Sequence, residues 1–322
     1  MLILVLWILL QTSFFQNYIV SRVTHRLSKD LNTTVSIKHV DFELFDKMLL
    51  KGTLVLDHNH DTLLYAGAVK VSITDWFFFK NNIVLKYVGL DDAVINLNRM
   101  DSVWNYQFLI DYFSGSSAKK NTNSSSVQLN LKQLELNNFK LWQEDKWGGT
   151  NMLVSLKSLN LNADTFDLNK NIIHLKTLTL DHPLFSQYDY DGNKPHDTTA
   201  SISPPLQAVD TGTMQWNTDG WRVSVNKIEI NDGGLAIEQQ TDRPVYSEGF
   251  DDQHVIVSEL NGTFKNFSFI KDTLTAQILF SGKERSDLVI KKLSADFKFT
   301  PKLMEFNKLD LVTNRSHLTD YY

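Results

Sequence analysis

The sequence predicts a mainly β protein in which an apolar helix and an amphipathic helix precede a long, bulged antiparallel sheet. Two observations carry this prediction. From Thr33 onward, apolar and polar residues alternate with a period of two, which is typical of strands with one apolar face. In addition, a six-residue pattern that predicts a bulged strand recurs along the chain. The two segments before Thr33 have other patterns and predict helices.

The first segment, residues 1–15, predicts a membrane anchor. As a helix it would rise about 22 Å, whereas the hydrocarbon core of a bilayer is about 30 Å thick. No charged residue precedes the apolar run, and no small-residue pattern indicates signal-peptide cleavage. We therefore expect an uncleaved anchor that lacks its first residues. Its lipid-contacting residues are Leu2, Ile3, Leu4, Val5, Leu6, Trp7, Ile8, Leu9 and Leu10.

The second segment, residues 16–31, predicts an amphipathic helix. Its apolar stripe consists of Ile19, Val23, Leu27 and Leu31. The adjacent basic stripe consists of Arg22, Arg26 and Lys29. A basic amphipathic helix beside an apolar span suits the lipid headgroup layer, where long cationic side chains reach phosphates. The alternative is a helix that covers the first hydrophobic core of the following domain, and both roles are compatible.

Composition limits the chemistry that the chain can perform. The 322 residues carry a net charge of -5, so nothing favours nucleic-acid binding. Cysteine is absent, which excludes a lipobox acyl anchor, a thiol nucleophile and thiolate metal ligands. A chain without cysteine is compatible with an oxidising compartment such as a periplasm. We expect neither a metal nor another cofactor.

The alternation after the helices divides the chain into strand-rich regions and polar stretches. The predicted β regions are residues 32–113, 127–188 and 213–322. Between them lie a Ser-rich linker at residues 114–126 and a polar loop at residues 189–212. Both polar stretches contain too few aliphatic residues to offset the entropy cost of ordering them. The first β region contains one segment, residues 101–110, that predicts a short helix or a helical turn.

The recurring pattern is a hexad with apolar residues at its first, fourth and sixth positions and usually Lys or Asn at its second. Full copies begin at Ile37, Leu85, Leu131, Leu156, Leu175, Val225 and Phe306, and a weaker copy begins at Ile290. The first and fourth residues of the hexad are three apart, so in a regular strand their side chains would point to opposite faces. One extra residue in a bulge returns both side chains to the same face. Each copy therefore predicts a bulged strand with one apolar face. That face must close on itself, pair with a second sheet or be covered by something else, such as lipid.

No stretch of the sequence predicts an active site. His58 and His60 fall in a polar turn. Residues 189–193 resemble the start of a calcium loop, but Ala200 stands where that loop requires Glu. The acidic pairs at residues 91–92 and 251–252 are expected in turns, where exposed Asp is common. We therefore expect a protein that is not an enzyme.

Several short motifs together resemble a known family. They include Val35-Ser36-Ile37, Val40-Asp41-Phe42, Leu49-Leu50-Lys51-Gly52, Asp61-Thr62-Leu63-Leu64-Tyr65-Ala66-Gly67 and Trp104-Asn105-Tyr106. With the two N-terminal segments, they resemble the start of the AsmA-like superfamily, specifically TamB-type translocation and assembly proteins in their Bacteroidetes-like form. The family is much longer and has a C-terminal domain that is missing here, so the resemblance implies an N-terminal fragment.

The resemblance also implies a location and a function. It implies an inner-membrane, single-pass anchor and a periplasmic sheet curled into a groove with a hydrophobic concave face. Such a groove carries phospholipid acyl chains or assists outer-membrane protein assembly with an outer-membrane barrel partner. The expected lipid-contacting residues are Leu129, Leu131, Leu134, Leu136, Leu156, Leu159, Leu161, Leu175, Leu178, Leu180, Val225, Ile228 and Ile230. The alternative is a β-sandwich or solenoid scaffold that binds protein or glycan, in which the same residues form a dry core.

Overall fold

The computed structural model describes residues 12–43, 47–72, 82–114, 126–168, 170–195, 215–246 and 249–319. Most of the predicted membrane anchor, residues 1–11, and most of the two predicted polar stretches therefore lie outside the described residues. Within the described ranges, no helix is both long and apolar enough to cross a bilayer.

Two helices and one large sheet make up the described chain. Helix α1 spans Ser13–Leu31 and α2 spans Gln107–Ser114. The first strands are β1 Val35–Ser36, β2 His39–Glu43, β3 Lys47–Leu56, β4 Thr62–Ser72 and β5 Asn82–Arg99. The middle strands are β6 Ser126–Asp145, β7 Thr150–Asp167, β8 Ile172–Asp181, β9 Leu184–Asp189 and β10 Arg222–Gln239. The last strands are β11 His254–Ile270, β12 Thr273–Glu284, β13 Val289–Thr300, β14 Leu303–Thr313 and β15 His317–Thr319.

The predicted amphipathic helix is present and begins at Ser13, within the segment that the sequence assigned to the anchor. Thr12 caps its start, because the Thr12 side chain accepts a hydrogen bond from the Phe15 N–H at 3.4 Å. Asn32 ends it in the left-handed conformation, with φ of 51°. The short helix predicted at residues 101–110 is displaced and forms at Gln107–Ser114. The cause is Asn105, whose side-chain amide donates to Asp57 and to the Asn96 carbonyl, which holds this segment in a turn.

All strands belong to one sheet of fifteen strands, in which most neighbours are consecutive and antiparallel. The expectation of a purely antiparallel sheet is wrong at two junctions, because β5 pairs with β6, and β8 and β9 pair with β10, in parallel. A parallel pair needs a crossover of a dozen or more residues to return the chain to the same end of the sheet. The connections between β5 and β6 and between β9 and β10 overlap the two predicted polar stretches and are long enough for such crossovers.

The strand register shifts at several hexads, as expected for bulges. Between β7 and β8, Asn162 pairs with Thr177 and Ala163 pairs with Leu175, so that Lys176 is an extra residue in the hexad that begins at Leu175. The register also shifts within the paired hexads of β5 and β6 and within the hexad of β14. In contrast, the β6–β7 pair and the β8–β10 pair keep a constant register through their hexads.

One end of the sheet has a conventional hydrophobic core. Helix α1 packs Ile19 and Val23 against Val40, Met48 and neighbouring apolar side chains of the first strands. Val40 and Met48 have no exposed surface. The apolar stripe of α1 is therefore used inside the protein, as the covering-helix interpretation expected.

Candidate functional site

Strand pairing places the predicted apolar residues on one face of the sheet. Residues that are directly paired in neighbouring strands point to the same face. One row crosses β6, β7, β8 and β10 through Leu134, Leu161, Leu178 and Ile228. A second row crosses the same strands through Leu136, Leu159, Leu180 and Ile230. The hexads of β8 and β10 are in register throughout, because Leu175 also pairs with Val225.

These residues are shielded from water to different degrees. Buried ones are Leu131, Leu136, Leu156, Leu161, Leu175 and Val225. Half-buried ones are Leu134, Leu159, Leu178, Leu180, Ile228 and Ile230. Leu129 lies in β6, but its side chain is outside the described part of the structure. The shielding comes from neighbours in the sheet, since no described residue outside the strands belongs to this cluster.

The apolar face extends further than the sequence prediction. Phe267 of β11 joins the Leu-rich cluster to a second cluster on β11–β14, which is rich in phenylalanine. Its members are Ala276, Ile278 and Ala295 together with Phe264, Phe267, Phe280, Leu293, Phe297, Phe306 and Leu309. The hexad that begins at Phe306 and the weaker copy that begins at Ile290 are the sequence patterns that predict an apolar face on β13 and β14. All described members of this cluster again lie in strands.

The same face continues to the helix-covered end. Leu134 pairs with Val88, Val88 pairs with Val71, and Val71 pairs with Met48 of the α1 core. One continuous apolar face therefore runs from β2 to β14. Helix α1 packs on its first strands, whereas the two clusters beyond them contain only residues of the sheet itself.

The opposite face is mostly polar. Lys70 forms an ion pair with Asp91 at 2.6 Å, and the Tyr87 hydroxyl donates to Glu135 at 2.8 Å. Burial raises the pKa of Asp91, but hydrogen bonds from Lys70 and Asn137 outweigh it and leave the pKa below its ordinary value. The acidic pair at residues 91–92 therefore lies within β5, and the prediction that it occupies a turn is wrong.

The basic stripe of α1 is divided between a contact within the protein and solvent. The Arg26 guanidinium lies 3.7 Å from the Asp30 carboxylate, which reduces its availability for other anions. Arg22 and Lys29 are exposed. Their contact with lipid headgroups stays a prediction.

Other polar clusters have structural roles. Asp57 is buried in the turn that contains His58 and His60, where its carboxylate accepts from the Asn59 and Asp61 N–H groups. Asp251 is fully buried, and hydrogen bonds from the Arg243 guanidinium lower its pKa far below the ordinary range, against the opposing effect of desolvation. Among the residues that the structure describes, no cluster of acidic and histidine side chains could hold a metal ion.

No protein-family model matches the chain, and no curated protein matches it either. The geometry itself defines a class of protein. In the described part of the chain, the strands form a single sheet with one continuous apolar face, which a helix covers at one end.

Proposed function

We propose that the apolar face of β5–β14 binds phospholipid acyl chains and that the protein is a membrane-anchored conduit for them in the periplasm. The observation that supports this proposal is the pair of apolar clusters on β6–β14, in which only strand residues take part. Burying apolar surface is favourable by about 25 cal/mol per Å². The half-buried side chains of this face, such as Leu178 and Ile228, would therefore gain free energy when acyl chains lie on them.

The bulges support a groove rather than a flat sheet. The register shifts at Lys176 in β8 and within the hexad of β14 that contains Lys308, and both lysine side chains are mostly exposed. Each bulge bends and twists its strand. Bends that turn towards the apolar face would make that face concave. Acyl chains would then lie along the groove while the polar face remains in water.

Membrane attachment belongs to the same proposal. The apolar run at residues 1–15 would anchor the chain in the inner membrane, and Arg22 and Lys29 would contact headgroups beside it. The resemblance to TamB-type proteins of the AsmA-like superfamily supports this arrangement. The sandwich alternative has less support, because the described strands form one sheet without a second sheet against it.

Assistance to outer-membrane protein assembly is a second proposal, and the apolar face favours it. The amphipathic strands of an outer-membrane barrel protein carry alternating apolar side chains that match such a face.

The decisive experiment compares two adjacent residues of β8 that carry the same new charge on opposite faces. Leu178 lies on the apolar face between Leu161 and Ile228, whereas Thr177 lies on the polar face opposite Lys227. The full chain is extracted in mild detergent, and bound phospholipid is quantified by mass spectrometry. We expect wild type and Thr177→Glu to carry phospholipid and Leu178→Glu to lose most of it while remaining folded, because a glutamate at the open groove can reach water.

Circular dichroism and thermal melting of the same samples provide the control for folding. Wild-type protein without bound phospholipid would contradict the conduit. Unfolding of Leu178→Glu, together with the absence of phospholipid from wild type, would show that the face is a dry core, since a charge forced into a packed core costs several kcal/mol.

A further inference from the structure

A pocket on the polar face lies at the ends of β6, β7, β9 and β10, away from the apolar clusters. Tyr188 and Tyr190 form part of its lining. Asn151 pairs with both Glu144 and Tyr188, so that these three side chains lie in one row. Asn151 is five residues before Leu156 in β7, and an odd separation in a regular strand places the two on opposite faces. The pocket therefore opens on the face opposite to the proposed lipid groove.

The two tyrosines provide a flat aromatic surface. Their ring centroids are 6.0 Å apart and their planes differ by 22°. The ring of Tyr190 is fixed, because its hydroxyl lies 3.2 Å from Asn151 Oδ1 and 3.3 Å from the Asp145 carbonyl oxygen, which are both acceptors. Tyr188 is 39% exposed. A large exposed aromatic side chain beside a pocket is available to a ligand.

The backbone around the pocket is already in place. Residues 190–194 run along the β6–β7 hairpin, where the Tyr190 N–H donates to the Gly149 carbonyl and the Asn193 N–H donates to the Lys146 carbonyl, both at 2.8 Å. Gly149 has φ of 80°, and a Cβ there would lie 2.0 Å from the Tyr190 carbonyl oxygen. Only glycine allows this close approach. A preformed site avoids the ordering cost that weakens flexible sites.

The polar lining indicates an uncharged ligand with many hydroxyl groups. Lys146 lies 3.4 Å from Glu144, so that the two charges offset each other. The remaining polar side chains are the amides of Asn151, Asn193 and Gln240. An amide both donates and accepts hydrogen bonds, as a hydroxyl does. Among the described residues, no other cation lines the pocket to attract phosphate, so a nucleotide chain is a poor fit.

We infer that this pocket binds a neutral oligosaccharide, with a sugar ring on Tyr188 and its hydroxyl groups on the surrounding amides. A sugar ring has a C–H face that packs on an aromatic ring and a rim of hydroxyl groups that needs donors and acceptors. The pocket supplies both in a fixed arrangement. The site is separate from the apolar face, so that lipid and glycan could be bound together.

Isothermal titration of the full chain with N-acetylchitotetraose, cellotetraose and maltotetraose tests this inference. We expect at least one of these sugars to bind and Tyr188→Ala to weaken that binding about tenfold or more, in the range of other aromatic stacking contacts. The matched control is Tyr65→Ala, because Tyr65 is 38% exposed and does not line the pocket. The affinity of Tyr65→Ala for the sugar should equal that of wild type.

The inference fails if none of the three sugars binds, or if both tyrosine variants change the affinity equally. It also fails if Tyr188→Ala leaves sugar binding intact. Titration with oligo(dT) is the comparison for non-sugar stacking ligands, and tighter binding of oligo(dT) through Tyr188 would replace the carbohydrate assignment. None of these results depends on lipid binding, so the outcome is separate from that of the conduit proposal.

Discussion

The two ends of the apolar face use the same strand pattern with different results. At β2–β4, helix α1 lies on the face and leaves Val40 and Met48 without exposed surface. At β6–β10, Leu178 and Ile228 occupy the hexad position of Val40 but are only half-buried, among residues of their own sheet. Leu175 and Val225, at the first hexad position, are buried like Ile37. The comparison shows that a hexad specifies a bulged strand with one apolar face. What covers that face depends on the elements that pack on it.

The two regions meet at the first parallel junction. Arg99 at the end of β5 pairs with Asp145 at the end of β6, and their side chains form a bidentate ion pair. Trp104 stacks on the Arg99 guanidinium, with 4.6 Å between the guanidinium carbon and the ring centroid. This cluster therefore fixes the crossover strand β6 beside the helix-covered region.

The largest expected effect is on the helix-covered core. Met48→Ala should lower the free energy of unfolding by about 2–5 kcal/mol, because it leaves a cavity in a packed core. Leu178→Ala removes a side chain that is only half-buried, and its cost should be about 1 kcal/mol. Denaturant titration of both variants without lipid measures the difference. Equal losses of stability would show that the two regions are packed alike.

A smaller effect is expected at the junction between the regions. Asp145→Asn removes the charge that pairs with Arg99 and should cost about 1–3 kcal/mol at neutral pH. The Arg99 side chain lowers the pKa of Asp145, while burial opposes this by raising it, and the net pKa is below its ordinary value. The stabilisation is thus present above the unfolded-state pKa of about 3.9 and is lost as pH falls through the lower folded-state pKa.

Stability curves between neutral and acidic pH measure this effect. The difference between wild type and Asp145→Asn should be largest near neutral pH and shrink below about pH 4. Met48→Ala provides the control, since no charge is involved and its cost should change little with pH. A difference for Asp145→Asn that stayed constant with pH would show that the ion pair does not fix the junction.

The bulges and the apolar face could be predicted from sequence because their signals are local. The step of three between Leu175 and Leu178 requires an extra residue, and the register between β7 and β8 shifts at Lys176. The parallel junctions could not be predicted from these strands alone. Hexads in β8 and β10 carry the same signal whichever direction the chain takes, and only the long polar connection between them indicates a crossover.

Covering of the first hydrophobic core by α1 was one of the two roles expected from the sequence, but where that cover ends could not be predicted. Val40 and Leu178 follow the same pattern, and only the position of α1 over the first strands distinguishes them. The polar pocket was missed for a related reason. Tyr188 and Tyr190 stand where the chain enters a polar stretch, and the pairing of β9 with both β7 and β10 brings them beside Asn151 and Gln240.

The central claim is that acyl chains occupy the apolar face, and photo-crosslinking at two neighbouring positions tests it most directly. Benzoylphenylalanine is placed at Leu178 or at Thr177 in the full chain, cells are irradiated, and the adducts are identified by mass spectrometry. We predict that phospholipid is attached at Leu178 and that none is attached at Thr177. Crosslinks from Leu178 only to other residues of the same chain, or phospholipid adducts at both positions alike, would contradict the account.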